Sequence, residues 1–591
     1  MKRILAIVFA LAIAVGTFAG CGKSSGSAST PDGTASTVVS DDIFSKEKVT
    51  FLNDDGSSVY RIVRPDGDAD ALATSQYLFK KIKNSIGVSI KNVADTEDGT
   101  DVYEILVGNT NRTETQQAKE YLEAKVGGRY NDYIICTIGK KIVIYSDSAD
   151  GLNAASEYFI ANFCKPEGVE GGILYTKATE GSFESITVNG VEAGRYDFVR
   201  PHYNSSYLTE VEMEKVVETV YNKTGYLMSI KHDTYTEPSD YEIIVGNTNR
   251  EGVEAITNYD EYSIKVSGTK VYINGGSAHA TAMGVSEFAK MLTGKLTDAS
   301  SVTGSYETAL NSYDKSTTFY KTWGDDFDGT ALDTTKWRQE NESNQTAGLN
   351  GKTSVRSSDP NDVFVSDGKF YICAREDENY YYGGMIRTQN KMSYKYGYVE
   401  MSAVIPQGKG FWVALWACSD DSKSTFDPNE PKIMSPEIDI VECFGNSAFY
   451  AANCHSWPTS YGVSKYGFEH TSLDGAQYGS KKKYTSVDEG VVLGEDFHTY
   501  GFLWDNTKMA FSCDGDLFFS YDTTTTFADQ ECFNHSMYLI FSMALAFSSS
   551  PLAEITNDPN EWANTNKYIC DWINIYQKDD GMCELNWTGA N

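Results

Sequence analysis

Hydrophobic and polar positions follow two different patterns along the 591 residues of this chain. From residue 60 to residue 310, short apolar runs typical of strands alternate with longer stretches whose apolar residues recur at helical spacing. Beyond residue 318 the runs are short and separated by turn signals, with no helical stretch between them. The pattern predicts a multidomain chain in which α/β structure precedes an all-β sandwich or jelly roll.

An internal repeat divides the α/β part into two copies. Residues 103–112 read YEILVGNTNR and residues 241–250 read YEIIVGNTNR. The segment YRIVRP at residues 60–65 is likewise matched by YDFVRP at residues 196–201. Each copy repeats the same order of strands, turns and helices, so the sequence predicts two copies of one small domain.

The predicted folded parts are two α/β repeat domains at residues 45–185 and 186–310 and an all-β domain at residues 319–580. Each repeat resembles the small α/β domain that precedes the catalytic barrel in family 20 hexosaminidases and in α-glucuronidases. That resemblance implies a domain without chemistry of its own. Three roles stay open for the repeats: they hold substrate, dock the catalytic domain, or space it from a membrane.

The first residues are predicted to be a targeting segment. Lys2 and Arg3 precede an apolar stretch too short to span a bilayer, and the residues FAGC that follow end at Cys21. This resembles the bacterial lipoprotein motif, which implies removal of a signal peptide at residues 1–20, lipidation of Cys21 and a flexible tether at residues 21–44. The implied location is the cell surface, outside the cytoplasm and anchored to the membrane. Ordinary secretory cleavage with an incidental cysteine is the alternative.

The composition narrows the choice of partner. A net charge of −32 argues against nucleic acid, because phosphate binding requires clustered Lys and Arg. The same charge disfavours acidic polysaccharides, although less strongly. The 11 cysteines and 7 histidines show no spacing typical of zinc ligands. A neutral polysaccharide fits this composition best.

The segment EIDIVE at residues 437–442 carries the candidate chemistry. In a regular strand Glu437 and Asp439 share one face, and Glu442 points to the other. A bulge that adds one residue at positions 440–441 returns Glu442 to the face of the other two acids. The alternative is an exposed strand with acids on its solvent side, but two successive aliphatic residues before Glu442 do not fit that pattern.

Two carboxyl groups at this separation suit a retaining glycosidase. With a bulge, about four strand steps of roughly 3.3 Å separate Glu437 from Glu442, and side chains that lean together reduce the gap to about 5 Å. Retention requires about 5–5.5 Å, whereas inversion leaves about 6.5–9.5 Å for a water molecule. Asp439 adds a third like charge, so we expect the pKa of the acid to be raised.

The surroundings of this segment resemble glycoside hydrolase family 16, the laminarinase-type β-glucanases. The segment EIDIVE matches the bulged ExDxxE signature of that family. The resemblance covers residues 320–578. It implies a β-jelly roll with an open cleft, with Glu437 as nucleophile, Glu442 as general acid/base and Asp439 as assisting residue. Further motifs in chain order are DDFDG (325–329), YGYVE (396–400), GFWVALW (410–416), FHTYG (497–501) and DWINIY (571–576).

The cleft residues are predicted partly from this resemblance. Aromatic rings pack against the C–H faces of sugars, so the tryptophans that share one side of their strand are candidate sugar platforms, with core packing as the alternative. An acid on the strand before them matches a family residue that hydrogen-bonds sugar hydroxyls, and a histidine and a tryptophan follow the catalytic strand. These substrate-binding candidates are Trp412, Trp416, Glu400, His455 and Trp457.

The predicted glycosidase chemistry requires no cofactor, and no metal ligands are assigned. Many members of the resembled family hold a structural calcium away from the cleft, for which Asp571 is the matching candidate. Three positions depart from the family pattern, namely Ser402, Val413 and Ser542. None of them is a catalytic acid, but they weaken the assignment of the linkage that is cleaved.

The sequence therefore predicts a surface-tethered endo-β-glucanase that hydrolyses β-1,3-linked or mixed β-1,3/1,4-linked glucan with retention. A red-algal galactan hydrolase, similar to an agarase or carrageenase, is an alternative that uses the same catalytic residues. Glycosyl transfer instead of hydrolysis also stays open. The alternative from another class is a glycan-binding surface lipoprotein, which would have no need of three acids on a bulged strand.

Overall fold

The computed structural model describes residues 40–234, 236–340, 352–406, 410–419, 434–443, 450–458, 471–478, 493–522, 533–545 and 566–590. The described residues fall into two compact units, the first within residues 40–127 and 133–176 and the second within residues 128–132 and 177–590. Among the described helices, none combines the length and the apolar character needed to cross a membrane. The predicted signal peptide and Cys21 lie outside the described residues.

Strands and helices alternate through the first unit. Its elements are β1 (Arg61–Arg64), α1 (Ala69–Ile86), β2 (Lys91–Ala94), β3 (Glu104–Val107), α2 (Thr113–Tyr121), β4 (Tyr133–Ile138), β5 (Lys141–Ser146), α3 (Ala149–Asn162) and β6 (Ile173–Lys177). The strands form one sheet in the order β2-β1-β3-β5-β4-β6, in which β4 pairs antiparallel with β5 and the pairs among β1, β2, β3 and β5 are parallel. Asp68 caps the first turn of α1, and Gly87 ends this helix in the left-handed conformation that glycine adopts readily.

The second unit begins with a region of the same topology. Its elements are β7 (Thr187–Val188), β8 (Val191–Glu192), β9 (Asp197–Arg200), α4 (Tyr207–Thr224), β10 (Ile230–His232), β11 (Glu242–Val245), β12 (Glu261–Ser267), β13 (Lys270–Gly275), α5 (Ala278–Met291), β14 (Lys295–Leu296), β15 (Val302–Ser305) and α6 (Tyr306–Leu310). Six of the strands form a sheet in the order β10-β9-β11-β13-β12-β15, which matches the first unit strand for strand. The helices α4 and α5 pack on one face of this sheet.

The rest of the second unit is built from strands that form two sheets. The strands are β16 (Tyr320–Asp325), β17 (Arg338–Gln339), β18 (Thr353–Ser357), β19 (Val363–Ser366), β20 (Lys369–Cys373), β21 (Arg375–Glu376), β22 (Tyr380–Arg387), β23 (Met392–Lys395), β24 (Gly397–Val404), β25 (Phe411–Ser419), β26 (Met434–Cys443), β27 (Tyr450–Pro458), β28 (Thr471–Tyr478), β29 (His498–Trp504), β30 (Lys508–Cys513), β31 (Asp516–Asp522), β32 (Met537–Leu545), β33 (Lys567–Gln577) and β34 (Glu584–Trp587).

These strands pack as a β-sandwich, which confirms the all-β prediction for this part of the chain. An eight-stranded sheet runs β19-β20-β33-β24-β29-β30-β31, with β16 added to β33. An eleven-stranded sheet runs β17-β22-β32-β25-β26-β27-β28, with β18, β21, β23 and β34 at its margins. Alternate residues of both sheets meet in one core, for example Val399 and Ile575 from the first sheet with Leu415 and Phe541 from the second. The remaining residues of each strand therefore face outward.

The compact units do not follow the predicted domain boundaries. The predicted repeat domain at residues 186–310 lies in the same unit as the sandwich. One reason is a buried acid on the outer face of the eight-stranded sheet. Glu400 on β24 is 1% exposed, and its carboxylate accepts hydrogen bonds from the Ser206 hydroxyl at 2.7 Å and from the Tyr207 amide at 3.0 Å. Because Ser206 caps helix α4, the helix N-terminus meets the acid with its positive end.

A buried arginine provides the second reason. Arg200 at the end of β9 is 1% exposed, and its guanidinium forms an ion pair with Asp516 at 2.6 Å and donates to the Asp514 carbonyl at 2.9 Å. Glu210 of helix α4 supplies a further ion pair at 2.7 Å. Separating the two parts would break the ion pair with Asp516 and the hydrogen bond to the Asp514 carbonyl, so these contacts help to hold the α/β region and the sandwich together as one folded unit.

Candidate active site

The three acids of the segment 437–442 lie together because β26 carries a bulge. Trp416 of β25 lies opposite Asp439, and the next residue of β25, Leu415, lies opposite Val441, so Ile440 is the extra residue. The pairing of β26 with β27 is interrupted between Asp439 and Glu442. The predicted bulge is therefore confirmed. The aliphatic residues Ile438, Ile440 and Val441 are all buried in the sandwich core, which leaves the acids on the outer face of the eleven-stranded sheet.

Glu442 is the acid whose protonation is most strongly altered by its surroundings. Burial disfavours its charged form, and the nearby carboxylates of Asp439 and Glu437 add repulsion, so the pKa of Glu442 is raised to about 7. A hydrogen bond from the Trp412 indole to Glu442 Oε1, at 3.0 Å, acts in the opposite direction. The raised pKa agrees with the prediction, but its largest cause is burial, whereas the sequence suggested repulsion alone.

His455 of β27 balances the negative charge of the cluster. Its Nε2 lies 3.1 Å from Asp439 Oδ2, and by register His455 faces Glu437. Burial opposes the charged imidazole, yet the hydrogen bond to Asp439 and the carboxylates of Asp439, Glu437 and Glu442 together raise the pKa of His455. The site therefore combines three acids with a histidine whose pKa they raise. Asn453, which the sequence analysis missed, lies opposite Asp439 on the same strand as the histidine.

The two candidate tryptophans of β25 share the face of the acids. Val413, Leu415 and Ala417 point into the core, so Trp412 and Trp416 point outward, and both are half-buried. Trp412 contacts the acid cluster directly through its hydrogen bond to Glu442. Trp416 donates from Nε1 to the Ser542 hydroxyl at 3.1 Å. Ser542, one of the departures from the family pattern, thus holds the second indole.

An apolar patch extends the site beyond the predicted residues. Trp416 and Cys418 pack against buried residues of β22 and β32 that lie outside the main core. Sequence reasoning missed these residues, although the two-residue alternation of β32 would have placed two of them on the outer face. The patch consists of Met385, Trp416, Cys418, Tyr538 and Ile540.

The structure contradicts the prediction that Glu400 lies in the cleft. Its strand, β24, belongs to the eight-stranded sheet, whereas the acids and tryptophans belong to the other sheet. Hydrogen bonds to Ser206 and Tyr207 saturate its carboxylate in a buried contact. Ser402, two residues further along β24, donates to Asn204 at 2.9 Å, so this departure also lies in the contact with the α/β region. Both residues stabilise the contact with the α/β region, and both lie in the sheet that does not carry the acid cluster.

Two further predicted residues are tested little by the structure. The backbone of Trp457 lies in β27 opposite Ser435, and its side chain is outside the described part of the chain. Asp571, the candidate calcium ligand, pairs with Lys369 at 3.3 Å. A lysine at that position competes with a cation, so the described residues around Asp571 do not fit a calcium site.

Side chains of the types that bind metal ions do lie close together within the acid cluster. Glu437, Asp439 and His455 present one ligand atom each within 4.8 Å of one another. Within the described parts of the chain this is the cluster that could hold a metal ion. The same atoms already form the hydrogen bond between Asp439 and His455, which accounts for their proximity without a metal.

This arrangement suits acid/base chemistry on a bound sugar. A carboxyl group with a pKa of about 7 is protonated in a useful fraction near neutral pH and can give up its proton to a leaving oxygen. A second carboxylate on the same face of the strand, that of Glu437 two positions before Asp439, can attack from the other side of the bond. Tryptophans beside the acids offer flat apolar surfaces on which sugar rings stack.

Comparison with known proteins agrees with this description. Residues 319–578 match the family model described as beta-porphyranase A–D, GH16 domain. The glucan endo-1,3-beta-glucosidase A1 of Niallia circulans is 28% identical over 250 residues, which cover 38% of this chain and 33% of that protein. The endo-1,3-1,4-beta-glycanase ExsH of Rhizobium meliloti is 27% identical over 168 residues, covering 28% of each chain. The chain thus spans about a third of the length of these curated relatives.

Solved structures include a similar domain. The laminarinase catalytic domain of Thermotoga maritima is 25% identical and covers 44% of this chain and 98% of its own, with a TM-score of 0.34. The sandwich and its acid cluster define the class of this part of the chain as a β-sandwich glycoside hydrolase. Residues 319–578 belong, more narrowly, to glycoside hydrolase family 16.

Proposed function

We propose that the chain is a retaining, endo-acting β-glycanase that hydrolyses β-1,3-linked or mixed β-1,3/1,4-linked glucan. The observation that carries this proposal is the bulge at Ile440, which brings Glu437, Asp439 and Glu442 to one face of β26. The relatives are named for activities on 1,3- and 1,3-1,4-linked β-glycans, which supports the choice of substrate.

The proposed reaction has two steps. The Glu437 carboxylate attacks the anomeric carbon while the protonated Glu442 carboxyl gives its proton to the leaving oxygen, so the glycosidic bond breaks and a glycosyl ester forms. Glu442, now ionised, then takes a proton from water, whose oxygen attacks the same carbon and releases Glu437. Asp439, held by His455, lies between the two acids along the strand and assists both steps.

Hydrolysis is tested with the full chain on laminarin, barley mixed-linkage glucan, agarose and κ-carrageenan, by release of reducing ends. The variant Glu437→Gln should abolish release, whereas Glu378→Gln, at an exposed position before β22, should leave it unchanged. Proton NMR of the first products should show the retained β-anomer. Release that persists in Glu437→Gln, or an inverted product, would contradict the assigned mechanism.

A red-algal galactan is the second candidate substrate. It is favoured by the family model, whose description names porphyranases. The four polymers of the assay separate the two substrates, because release from agarose or κ-carrageenan alone would keep the mechanism and replace the glucan. A folded chain that binds these polymers and cleaves none would instead favour the glycan-binding alternative.

We further propose that the N-terminus anchors the chain at the cell surface. The motif ending at Cys21 supports a lipoprotein anchored at the cell surface. Replacement of this residue, Cys21→Ala, should move the chain from the membrane fraction to the soluble fraction. Persistence in the membrane fraction would exclude the lipid anchor.

The two α/β regions are proposed to be copies of one domain that is similar to the N-terminal domain of family 20 hexosaminidases. Their repeated decapeptide and their common strand order support this assignment. Separately expressed residues 45–185 should fold cooperatively if the first copy is a domain. An unfolded product would argue against that assignment.

A further inference from the structure

The two α/β regions differ in what covers one face of their sheets. In the first, helix α2 and the π-helical turn after it cover the face opposite α1 and α3. Ala118, Tyr121 and Leu122 of this segment are buried against strand residues such as Leu106 and Val143. The face is therefore closed by an apolar contact.

In the second region no helix occupies the corresponding place. The described residues between β11 and β12 that follow the repeated decapeptide, 251–258, form turns and extended chain. Without the helix, a groove of about 320 Å³ opens on this face. That volume lies near the lower end of the range typical of small-ligand pockets, about 300–1,000 Å³.

The strand residues beneath the groove differ in polarity from those at the corresponding positions of the first region. The common register aligns Ile134 with Ser263 and Cys136 with Lys265 on the antiparallel strands, and it aligns Val143 with Tyr272 and Tyr145 with Asn274 on their partners. Buried apolar residues in the first region thus correspond mostly to polar ones in the second. A face that had merely lost its cover would keep an apolar surface, which water disfavours. A face with coordinated polar replacements is suited to a polar ligand.

We propose that this groove is a second binding site, for a short segment of a neutral glycan. The Tyr272 ring and Ile256 offer apolar surface to the C–H face of a sugar. The hydroxyls of Thr257, Ser263 and Thr303 line the groove and make no side-chain hydrogen bond to other described residues. Sugar hydroxyls are natural partners for such groups.

The charges around the groove select a neutral ligand. Lys265 is held by Glu254 at 2.6 Å, so its charge is compensated inside the protein. Glu261 adds a further negative charge at the rim. A sulfated or carboxylated chain would meet net repulsion here. The inference rests on the proposed function in one respect, because the neutral glycan is taken to be the polymer that the catalytic acids cleave.

The experiment uses the full chain with Glu437→Gln, which should bind the polymer without cleaving it. Calorimetry with a β-1,3-glucan hexasaccharide should detect two binding events, one at the catalytic sheet and one at the groove. Adding Ser263→Tyr fills the groove, and we expect the second event to disappear or to weaken by about tenfold or more. The matched control is Ser267→Tyr, on the same face of β12 and exposed, but outside the groove lining. Thermal unfolding of each variant confirms that it is folded.

The outcomes separate this inference from the proposed function. A single binding event that is the same with and without Ser263→Tyr would overturn the groove site, as would a second event seen only with a sulfated κ-carrageenan oligosaccharide. Cleavage is measured independently on the unsubstituted chain. A chain that cleaves no glucan but loses a neutral-oligosaccharide binding event in Ser263→Tyr would overturn the proposed function and support the groove.

Discussion

Glu442 shows how single neighbours set the protonation of the proposed catalytic acid. Its pKa of about 7 results from burial and from the charges of Asp439 and Glu437, partly offset by the hydrogen bond from Trp412. Because the proposed acid acts in its protonated form, kcat/KM should fall as the pH rises through about 7. Each neighbour should then move this alkaline limb in a direction that its charge or hydrogen bond determines.

The variant Trp412→Phe tests the hydrogen bond. It removes the donor that stabilises the ionised carboxylate, so the pKa of Glu442 should rise and the alkaline limb of kcat/KM should move to higher pH. The companion variant Asp439→Asn removes a like charge and should move the limb to lower pH, along with a loss of rate. Both shifts are measured on a soluble glucan, so that stacking on the tryptophan affects KM equally across the pH range. Limbs that move in the same direction would exclude Glu442 as the titrating acid.

The residue scale is also where sequence reasoning failed most clearly. Glu400 carries the right chemistry for binding sugar hydroxyls, and its motif matches the family pattern. Its position in the structure is set by Ser206 and Tyr207, almost two hundred residues earlier in the chain, which bury it. A single sequence contains no signal for such a long-range contact.

Among the secondary-structure elements, the bulge of β26 sets the direction of the side chain of Glu442, the proposed catalytic acid. The extra residue, Ile440, is buried at 1% exposure while its neighbours keep their pairing with β25. Bulges bend a strand and increase its twist, which redirects the side chains that follow. In this strand the redirected acid is Glu442, two positions after Ile440.

Deletion of Ile440 tests this role. The shortened strand keeps all three acids on the outer face, because regular alternation then places them there, but it loses the bend. We expect the deletion variant to fold with reduced stability and to lose activity by about 100-fold or more, since a displacement of about 1 Å can have that effect. The control Ile440→Val keeps the bulge, should keep the activity and should cost about 0.5–1.5 kcal/mol in stability. Circular dichroism and initial rates measure both, and full activity of the deletion variant would refute a role for the bulge.

At the scale of the whole molecule, buried polar contacts attach the second α/β region to the sandwich. Burial raises the pKa of Glu400 to about 7, although the hydrogen bonds from Tyr398, Ser206 and Tyr207 oppose the shift. The folded state therefore binds this proton more tightly than the unfolded state does. Its stabilising effect is present below the unfolded pKa and is lost as the pH rises through about 7.

The variant Glu400→Gln should remove this dependence. The amide retains an acceptor for Ser206 or the Tyr207 amide but carries no charge, so the melting temperature relative to the unsubstituted chain should be more favourable at pH 8 than at pH 5. The exposed control Glu251→Gln should show no such difference. Differential scanning calorimetry at the two pH values measures it. A difference between the pH values that is absent or reversed for Glu400→Gln would contradict the assignment.

Patterns among near neighbours in the sequence predict several features of this fold. The alternation after residue 318 determined the β-sandwich, the decapeptide determined the repeat, and two aliphatic residues in succession before Glu442 indicated the bulge. These features depend on neighbours within a few positions, and side-chain periodicity reports them directly.

Other features depend on contacts between residues that lie far apart in the sequence and meet in the folded chain. The tertiary structure brought Arg200 to Asp516 and Ser206 to Glu400, which joined an α/β region to the sandwich and took one predicted cleft residue out of the cleft. The groove over Tyr272 is a further example. The segment between β11 and β12 contains no helix, and the absence of a helix opens a groove only because a helix there would have covered the sheet face. Burial and charge act through space, so the motif predicts the direction of the Glu442 pKa shift, whereas the burial that contributes most to it, and the role of Glu400, follow from the fold.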